Sequence, residues 1–136
     1  MSGSGHIALR VMRILSAVFL LAIGGMHLFL VFDGVGGSLG VSFVLNAVAG
    51  IVLAIAMLFA RGWLLKLATV LSLLFIIASL LALVLALTVG LFGITEVWTF
   101  TLVPETVIVE AIGIVVLAVA SALVLRAPRG AQLKTA

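Results

Sequence analysis

Three polar side chains interrupt the apolar runs of this sequence, and they are the residues whose chemistry could matter most. His27 lies in "GGMHLFLVFDG", Asn46 in "FVLNAVAG" and Glu110 in "VIVEAIGIVVLA". An ionised glutamate is costly in hydrocarbon, and a histidine can stabilise it by donating a charged hydrogen bond. Asparagine both donates and accepts, so it can bridge the other two. Together the three residue types favour a His–Asn–Glu network, which Thr88 could join.

Two interpretations of this network remain open at the level of sequence. In the first, the polar groups pair with one another and fix the register of neighbouring helices. In the second, they form the floor of an outward-facing cavity that binds a ligand or relays protons, because ionisable residues inside a membrane are commonly functional.

Several classes of chemistry are excluded by composition and spacing. The chain has no cysteine, so disulfides, thiolate metal sites and thiol redox chemistry are ruled out. His27 and Glu110 are the only strong metal ligands in the apolar core, which is too few for a metal site. His6 is near the N-terminus, so a single chain cannot bind haem through two histidines. With no phosphate-binding glycine loop and no serine–base pair, we expect neither enzymatic activity nor a cofactor.

The elements that position these residues are transmembrane helices. The 136 residues are 66% hydrophobic and 8% charged, whereas a soluble domain is about a quarter charged. The apolar residues gather in runs of about twenty, the length that crosses a bilayer as a helix. The pattern predicts an all-α, single integral membrane domain over residues 1–136. Its four predicted spans cover residues 14–32, 41–60, 64–89 and 103–125.

Counting along the spans places the three polar residues at one depth. Each lies five or six residues inside the nearer end of its span. At 1.5 Å per residue, this is about 8 to 9 Å below the membrane boundary. His27, Asn46 and Glu110 are therefore predicted to share one layer in the outer half of the membrane.

Charged residues outside the spans predict the orientation. All basic residues fall on one side of the predicted topology, namely Arg10, Arg13, Arg61, Lys66, Arg126, Arg129 and Lys134. Asp33, Glu96 and Glu105 fall on the other side. Short loops rich in lysine and arginine stay cytoplasmic, so both termini are predicted to face the cytoplasm of a bacterial cell, with the protein in the inner membrane. These bases are explained by topology, and we expect no nucleic-acid partner.

Each predicted helix carries one stripe of small or polar residues, which is the kind of face through which membrane helices pack. Four such spans joined by short loops predict an up-down four-helix bundle. The stripes are Ser16, Leu20, Gly24 and His27; Asn46, Gly50, Ala54 and Met57; Ser72, Ser79, Ala82 and Ala86; and Glu110, Gly113, Leu117 and Ser121.

The segment "GITEVWTFTLVPE" between the third and fourth spans is more apolar than an aqueous loop requires. We expect it to lie along the membrane interface, with Trp98 at headgroup depth. It could also cover the outer mouth of the bundle or contact a partner protein through Glu96, Trp98 and Glu105.

Two resemblances accompany these patterns. The stretch "RILSAVFLLAIGGMHLFL" resembles the first helix of DoxX-like proteins. The pieces "HLFLVFDG", "FVLNAVAG", "VGLFG" and "VIVEAIGIVVLA" resemble uncharacterised small four-helix bacterial membrane proteins. The second resemblance implies that His27, Asn46 and Glu110 are polar positions of that group, and it implies no particular activity.

Small size and the absence of extramembrane domains favour a non-catalytic role. We expect an accessory or structural subunit of a larger inner-membrane complex, in contact with lipid and with other integral membrane subunits. The alternative is a protein that binds a lipid or quinone from the outer leaflet through the His27, Asn46 and Glu110 layer. A third possibility is a small proton-coupled transporter that uses Glu110.

Overall fold

A computed structural model describes residues 2–127 and consists of four α-helices. They are α1 (Gly3–Phe32), α2 (Gly37–Phe59), α3 (Gly62–Thr88) and α4 (Val103–Arg126). Each is long and apolar enough to cross a membrane, which confirms the predicted all-α bundle of transmembrane helices. Arg129 and Lys134 lie outside the described residues.

Helix α1 begins well before the predicted span. Its first turn is capped by Ser2, whose side chain accepts a hydrogen bond from the backbone N–H of Gly5. The sequence between this cap and Ile14 is not apolar enough to resemble a membrane span, so the hydrophobic pattern alone placed the start too late. The helix therefore extends further toward the N-terminus than its apolar segment.

The four helices pack in a ring, with α1 against α2 and α4, and α3 against α2 and α4. Adjacent helices are antiparallel, so the bundle has two distinct ends. We call the end formed by residues 33–36 and 89–102 the loop end, and the end near both termini and residues 60–61 the terminal end. The α2–α3 pair makes the least extensive contact of the four adjacent pairs.

The predicted stripes of small and polar residues face the interior of the bundle. Most of their members are buried, including Gly24, Gly50, Ser72 and Gly113. The opposite faces expose large apolar side chains, among them Val44, Leu45 and Val48 on α2, and Leu74, Ile77 and Leu81 on α3. A surface of this kind suits hydrocarbon and not water.

Helices α1 and α2 make the most extensive contact, and glycine makes it possible. A Cβ atom on Gly50 would lie 2.8 Å from the carbonyl oxygen of Leu20, and one on Gly24 would lie 3.2 Å from the carbonyl oxygen of Ala47. The two backbones approach so closely that no side chain fits between them. Such close approach supplies the dispersion contacts that hold helices together in lipid.

At the terminal end, Arg13 ties α1 to the last turn of α2. Its guanidinium donates to the carbonyl oxygens of Met57 at 2.8 Å and of Leu58 and Ala60 at 2.9 Å. The final carbonyl groups of a helix lack partners within the helix and carry partial negative charge, so a buried cation satisfies both requirements. Arg13 was predicted only as a topology-determining charge, and the structure gives it a packing role as well.

Replacing Gly50 with alanine is expected to destabilise the bundle by about 1 to 3 kcal/mol, because the added methyl group collides with backbone that cannot move independently. Gly25→Ala is the matched control, since a Cβ at Gly25 meets nothing within 4 Å. Thermal unfolding in detergent micelles, followed by circular dichroism, should show a lower midpoint for Gly50→Ala alone. Equal midpoints for the two variants would contradict the close α1–α2 contact.

Candidate functional site

A chain of hydrogen bonds links α2, α3 and α4 in the half of the bundle nearer the loop end. The side-chain amide of Asn46 donates to Ser79 Oγ at 3.0 Å, and the Ser79 hydroxyl donates to Glu110 Oε1 at 2.5 Å. Ser79 is therefore the group that joins the asparagine to the glutamate. One small side chain on α3 connects the two neighbouring helices.

Glu110 is completely buried, at 0% exposure, yet its carboxyl group is only half satisfied. Oε1 accepts from Ser79, while Oε2 has no hydrogen-bond partner among the described residues. Asn46 Oδ1 also lacks a partner within the described part of the chain. A buried carboxyl oxygen without a partner is unfavourable whether the group is ionised or protonated, because it then lacks either a donor or an acceptor.

His27 lies near this chain of bonds but makes a different contact. Its Nδ1 is 2.9 Å from the carbonyl oxygen of Ile23, and its ring meets Phe43 edge-on, with centroids 4.9 Å apart. A carbonyl oxygen only accepts, so Nδ1 carries the proton in this hydrogen bond. In the neutral ring, Nε2 then has a free lone pair and is an acceptor.

A partly enclosed cavity of about 300 Å³ adjoins these polar groups. Residues of all four helices and of the loop before α4 line it. The polar lining residues from the helices are His27, Ser42, Ser79, Thr106 and Glu110, and those from the loop are Glu96 and Thr101. Most of the remaining lining is apolar. The cavity thus combines an apolar wall with a few polar groups, the usual composition of a small-molecule site.

The loop before α4 forms the cover of this cavity. The backbone N–H of Glu96 donates to the carbonyl oxygen of Ala86 at 3.0 Å, which fastens the loop to the last turns of α3. Leu91 and Ile94 exchange two backbone hydrogen bonds of 2.8 Å and close a tight turn. The loop therefore folds back over the bundle, as the alternative of a covered mouth anticipated.

The other residues singled out from the sequence lie outside the cavity. Trp98 is 58% exposed, and Glu105 is exposed in the first turn of α4. Thr88 is also exposed and donates to the carbonyl oxygen of Val84 in its own helix at 2.7 Å. Of the predicted polar set, the structure connects Asn46 and Glu110 through Ser79, places His27 beside them at the cavity, and leaves Thr88 apart.

Ser79 was counted from the sequence only as a small packing residue. Its distance from the end of α3 places it deeper than the predicted layer, so counting depth did not group it with Asn46 and Glu110. Helix α2, however, begins at Gly37 and not at Val41, so Asn46 also lies deeper within its helix than predicted. The heptad spacing of Ser72 and Ser79 was the available signal that this face of α3 is polar.

Comparison with known proteins adds no assignment. No protein-family model matches the chain, and neither a curated protein nor a solved structure matches it.

Replacing Ser79 with alanine should remove the connection between α2 and α4, leaving Asn46 Nδ2 and Glu110 Oε1 without their shared partner. We expect a loss of about 1 to 3 kcal/mol in the free energy of unfolding, measured by denaturant titration in micelles. Thr88→Ala removes a hydroxyl bonded only to its own helix, and should change stability by less than about 0.5 kcal/mol. Equal effects of the two substitutions would show that Ser79 is not a bridge.

Proposed function

We propose that this chain is a non-catalytic integral membrane protein that binds an amphiphilic small molecule in the cavity at its loop end. The polar head of the ligand lies against Glu110 and its apolar part lies along the cavity wall. The observation that carries the proposal is a fully buried carboxyl group that lines a largely apolar cavity and has one oxygen without a partner among the described residues.

A network that served only to hold helices together would be expected to satisfy its own members, because unpaired polar groups are costly in a low-dielectric interior. Here the Asn46–Ser79–Glu110 chain ends in a buried carboxyl oxygen without a partner among the described residues, and Glu110 is one of the residues that line the cavity. A ligand that donates a hydrogen bond to Oε2 completes the network. The cavity volume of about 300 Å³ is at the lower limit of small-molecule sites, and it is large enough for a head group and part of an apolar chain.

The α2–α3 interface is the favoured entrance for such a ligand. These helices make the least extensive contact of the adjacent pairs, and each contributes an apolar side chain to the cavity wall, Phe43 from α2 and Leu83 from α3. An apolar chain can extend from the cavity between them into the surrounding lipid. With both termini cytoplasmic, as the basic residues predict, this entrance opens to the outer leaflet of a bacterial inner membrane.

The packing beyond the cavity favours binding over transport. Leu20, Ile76 and Leu117 are all at 0% exposure and fill the core between Glu110 and the terminal end. Ile76 packs directly against Gly113, one turn from the glutamate. Buried hydroxyl side chains also lie in this part of the core, at Ser16, Thr69, Ser72 and Ser121. Among the described residues buried between Glu110 and Arg13, however, none is ionisable, so we do not extend the proposal to a proton-coupled transporter.

A second candidate function is that of an accessory subunit, and the loop before α4 favours it. Phe92 is 95% exposed and Trp98 is 58% exposed, so two aromatic side chains project from the cover of the cavity. Aromatic residues of this kind are enriched in protein interfaces.

Gentle solubilisation followed by native mass measurement tests the accessory role. It should yield a stoichiometric complex that Phe92→Asp dissociates, and a lone chain of 14.1 kDa would count against this role.

Filling the cavity should weaken ligand binding without disturbing the bundle. Ala82 lines the cavity and Ala78, one turn away on the same helix, is exposed on the lipid-facing side. We expect Ala82→Phe to lower the affinity for dodecanol, a neutral C12 amphiphile, at least about tenfold, because the ring occupies the space that the ligand requires. Ala78→Phe should leave the affinity unchanged.

The measurement is equilibrium binding of radiolabelled dodecanol to the protein in phosphatidylcholine nanodiscs, with empty nanodiscs subtracted. Thermal unfolding of both variants verifies that they fold. Binding that is equal in the wild type, Ala82→Phe and Ala78→Phe proteins would place the amphiphile on the outer surface and refute a ligand cavity.

A further inference from the structure

We infer that the cavity selects an amphiphile whose head group is a protonated amine, so that its ligand is a lipophilic amine and not a fatty acid or an anionic lipid. This inference rests on the proposed function and specifies the ligand class. It follows from the charges around the cavity and from the hydrogen-bonding groups that line it.

The charged side chains at the cavity have one sign. Glu110 lies fully buried in the wall, and Glu96 lies half-buried in the cover. Of the described residues that line the cavity, none is a lysine or an arginine. The remaining acidic residues, Asp33 and Glu105, also belong to the loop end of the bundle. A cation bound beside a buried carboxyl group stabilises its ionised form, whereas an anion at the same place opposes ionisation.

Basic side chains are too distant to offset this charge. In the described part of the chain they cluster at the terminal end, and the nearest along each helix are Arg13 on α1 and Lys66 on α3. Thirteen residues separate Lys66 from Ser79, which corresponds to about 20 Å along the helix. Coulomb energy falls with separation, so a base at that distance stabilises a carboxylate near Ser79 far less than a cation in direct contact with it.

The hydrogen-bonding groups that line the cavity also favour an ammonium head group. Glu110 Oε2 has no partner among the described residues, and Nε2 of a neutral His27 is an acceptor because Nδ1 donates to Ile23. The Ser79 hydroxyl is already used as a donor to Glu110. An ammonium group has three donors and no acceptor, so it matches a wall that offers acceptors. A carboxylate or phosphate head would find only neutral hydroxyl donors, at Thr101 and Thr106, because the Ser42 hydroxyl already donates to Ser38 and no cationic donor lines the cavity.

A neutral alcohol satisfies only part of this requirement. Its single hydroxyl proton can bond to one acceptor, and it brings no charge to balance the carboxylate. Hydrogen bonds to charged groups contribute about twice as much as neutral ones. The cavity therefore accepts an alcohol, but prefers an amine of the same chain length.

The experiment compares three probes that share a C12 chain and differ only in the head group: dodecylamine, dodecanol and dodecanoate. Each is titrated at pH 7 into the protein in phosphatidylcholine nanodiscs, and the signal from empty nanodiscs is subtracted. We expect dodecylamine to bind at least about tenfold more tightly than dodecanol, as a single added charge-assisted bond implies. Dodecanoate should bind more weakly than dodecanol.

Glu110→Gln tests which residue causes the preference. The amide preserves shape and can still accept from Ser79, but it removes the charge and replaces the second acceptor oxygen by a donor, so dodecylamine and dodecanol should differ by less than about threefold in this variant. Glu105→Gln is the matched control on the same helix, because it removes an equal charge from an exposed position outside the cavity. It should keep the wild-type preference. If Glu110→Gln does not fold, Ala82→Phe replaces it, and the amine preference should be lost in that variant as well.

The outcomes separate the two proposals. Dodecanol binding that equals or exceeds dodecylamine binding overturns the amine selectivity and leaves the amphiphile cavity standing. An amine preference that survives both Glu110→Gln and Ala82→Phe overturns it too, because general attraction to the acidic loop end then explains the result. Failure of all three probes to bind overturns the proposed function itself.

Discussion

The arrangement of this bundle depends on one carboxyl group that is held inside it. Glu110 is completely buried, and only one of its two oxygens has a hydrogen-bond partner among the described residues. The interior must therefore both stabilise this group and leave room beside it. Ser79 and Asn46 meet the first requirement from α3 and α2, and the cavity at the loop end meets the second. On the other side the core is filled by apolar side chains such as Leu20, Ile76 and Leu117 and by small hydroxyl residues such as Ser72.

The most extensive helix contact and the least extensive one have different roles: the first stabilises the bundle, and the second is the proposed entrance to the cavity. Backbones approach most closely between α1 and α2, where a Cβ atom on Gly50 would lie 2.8 Å from the Leu20 carbonyl oxygen, and Arg13 secures the terminal end of the same pair. In contrast, α2 and α3 make the least extensive contact. Because α1 and α2 are held together independently, the α2–α3 side can remain loosely packed near the cavity. A closely packed α1–α2 pair and a less extensive α2–α3 contact can therefore occur in the same small bundle.

The sequence predicted the helices better than it predicted the site, for physical reasons. Apolar runs long enough to cross a bilayer admit only one kind of structure, so the four spans and their buried stripes followed directly. The polar groups were harder, because a helix can extend past its apolar segment and shift the apparent depth of a residue. In the structure, Asn46 donates to Ser79, a residue that the depth count did not group with it, and His27 bonds to Ile23 of its own helix. Serine has the size of a packing residue, so its role as the bridge emerges only once three helices are placed in space.

The most direct test of this account is the ¹³C NMR spectrum of the glutamate carboxyl carbons in protein labelled only at glutamate. The chain contains three glutamates, and Glu96→Gln and Glu105→Gln assign two of them by loss of signal. If the ligand head completes the network at Oε2, adding dodecylamine should shift the Glu110 resonance most strongly and leave Glu105 in place. A Glu110 resonance that stays fixed while dodecylamine saturates the protein would contradict the central claim that this carboxyl group is the polar end of a binding cavity.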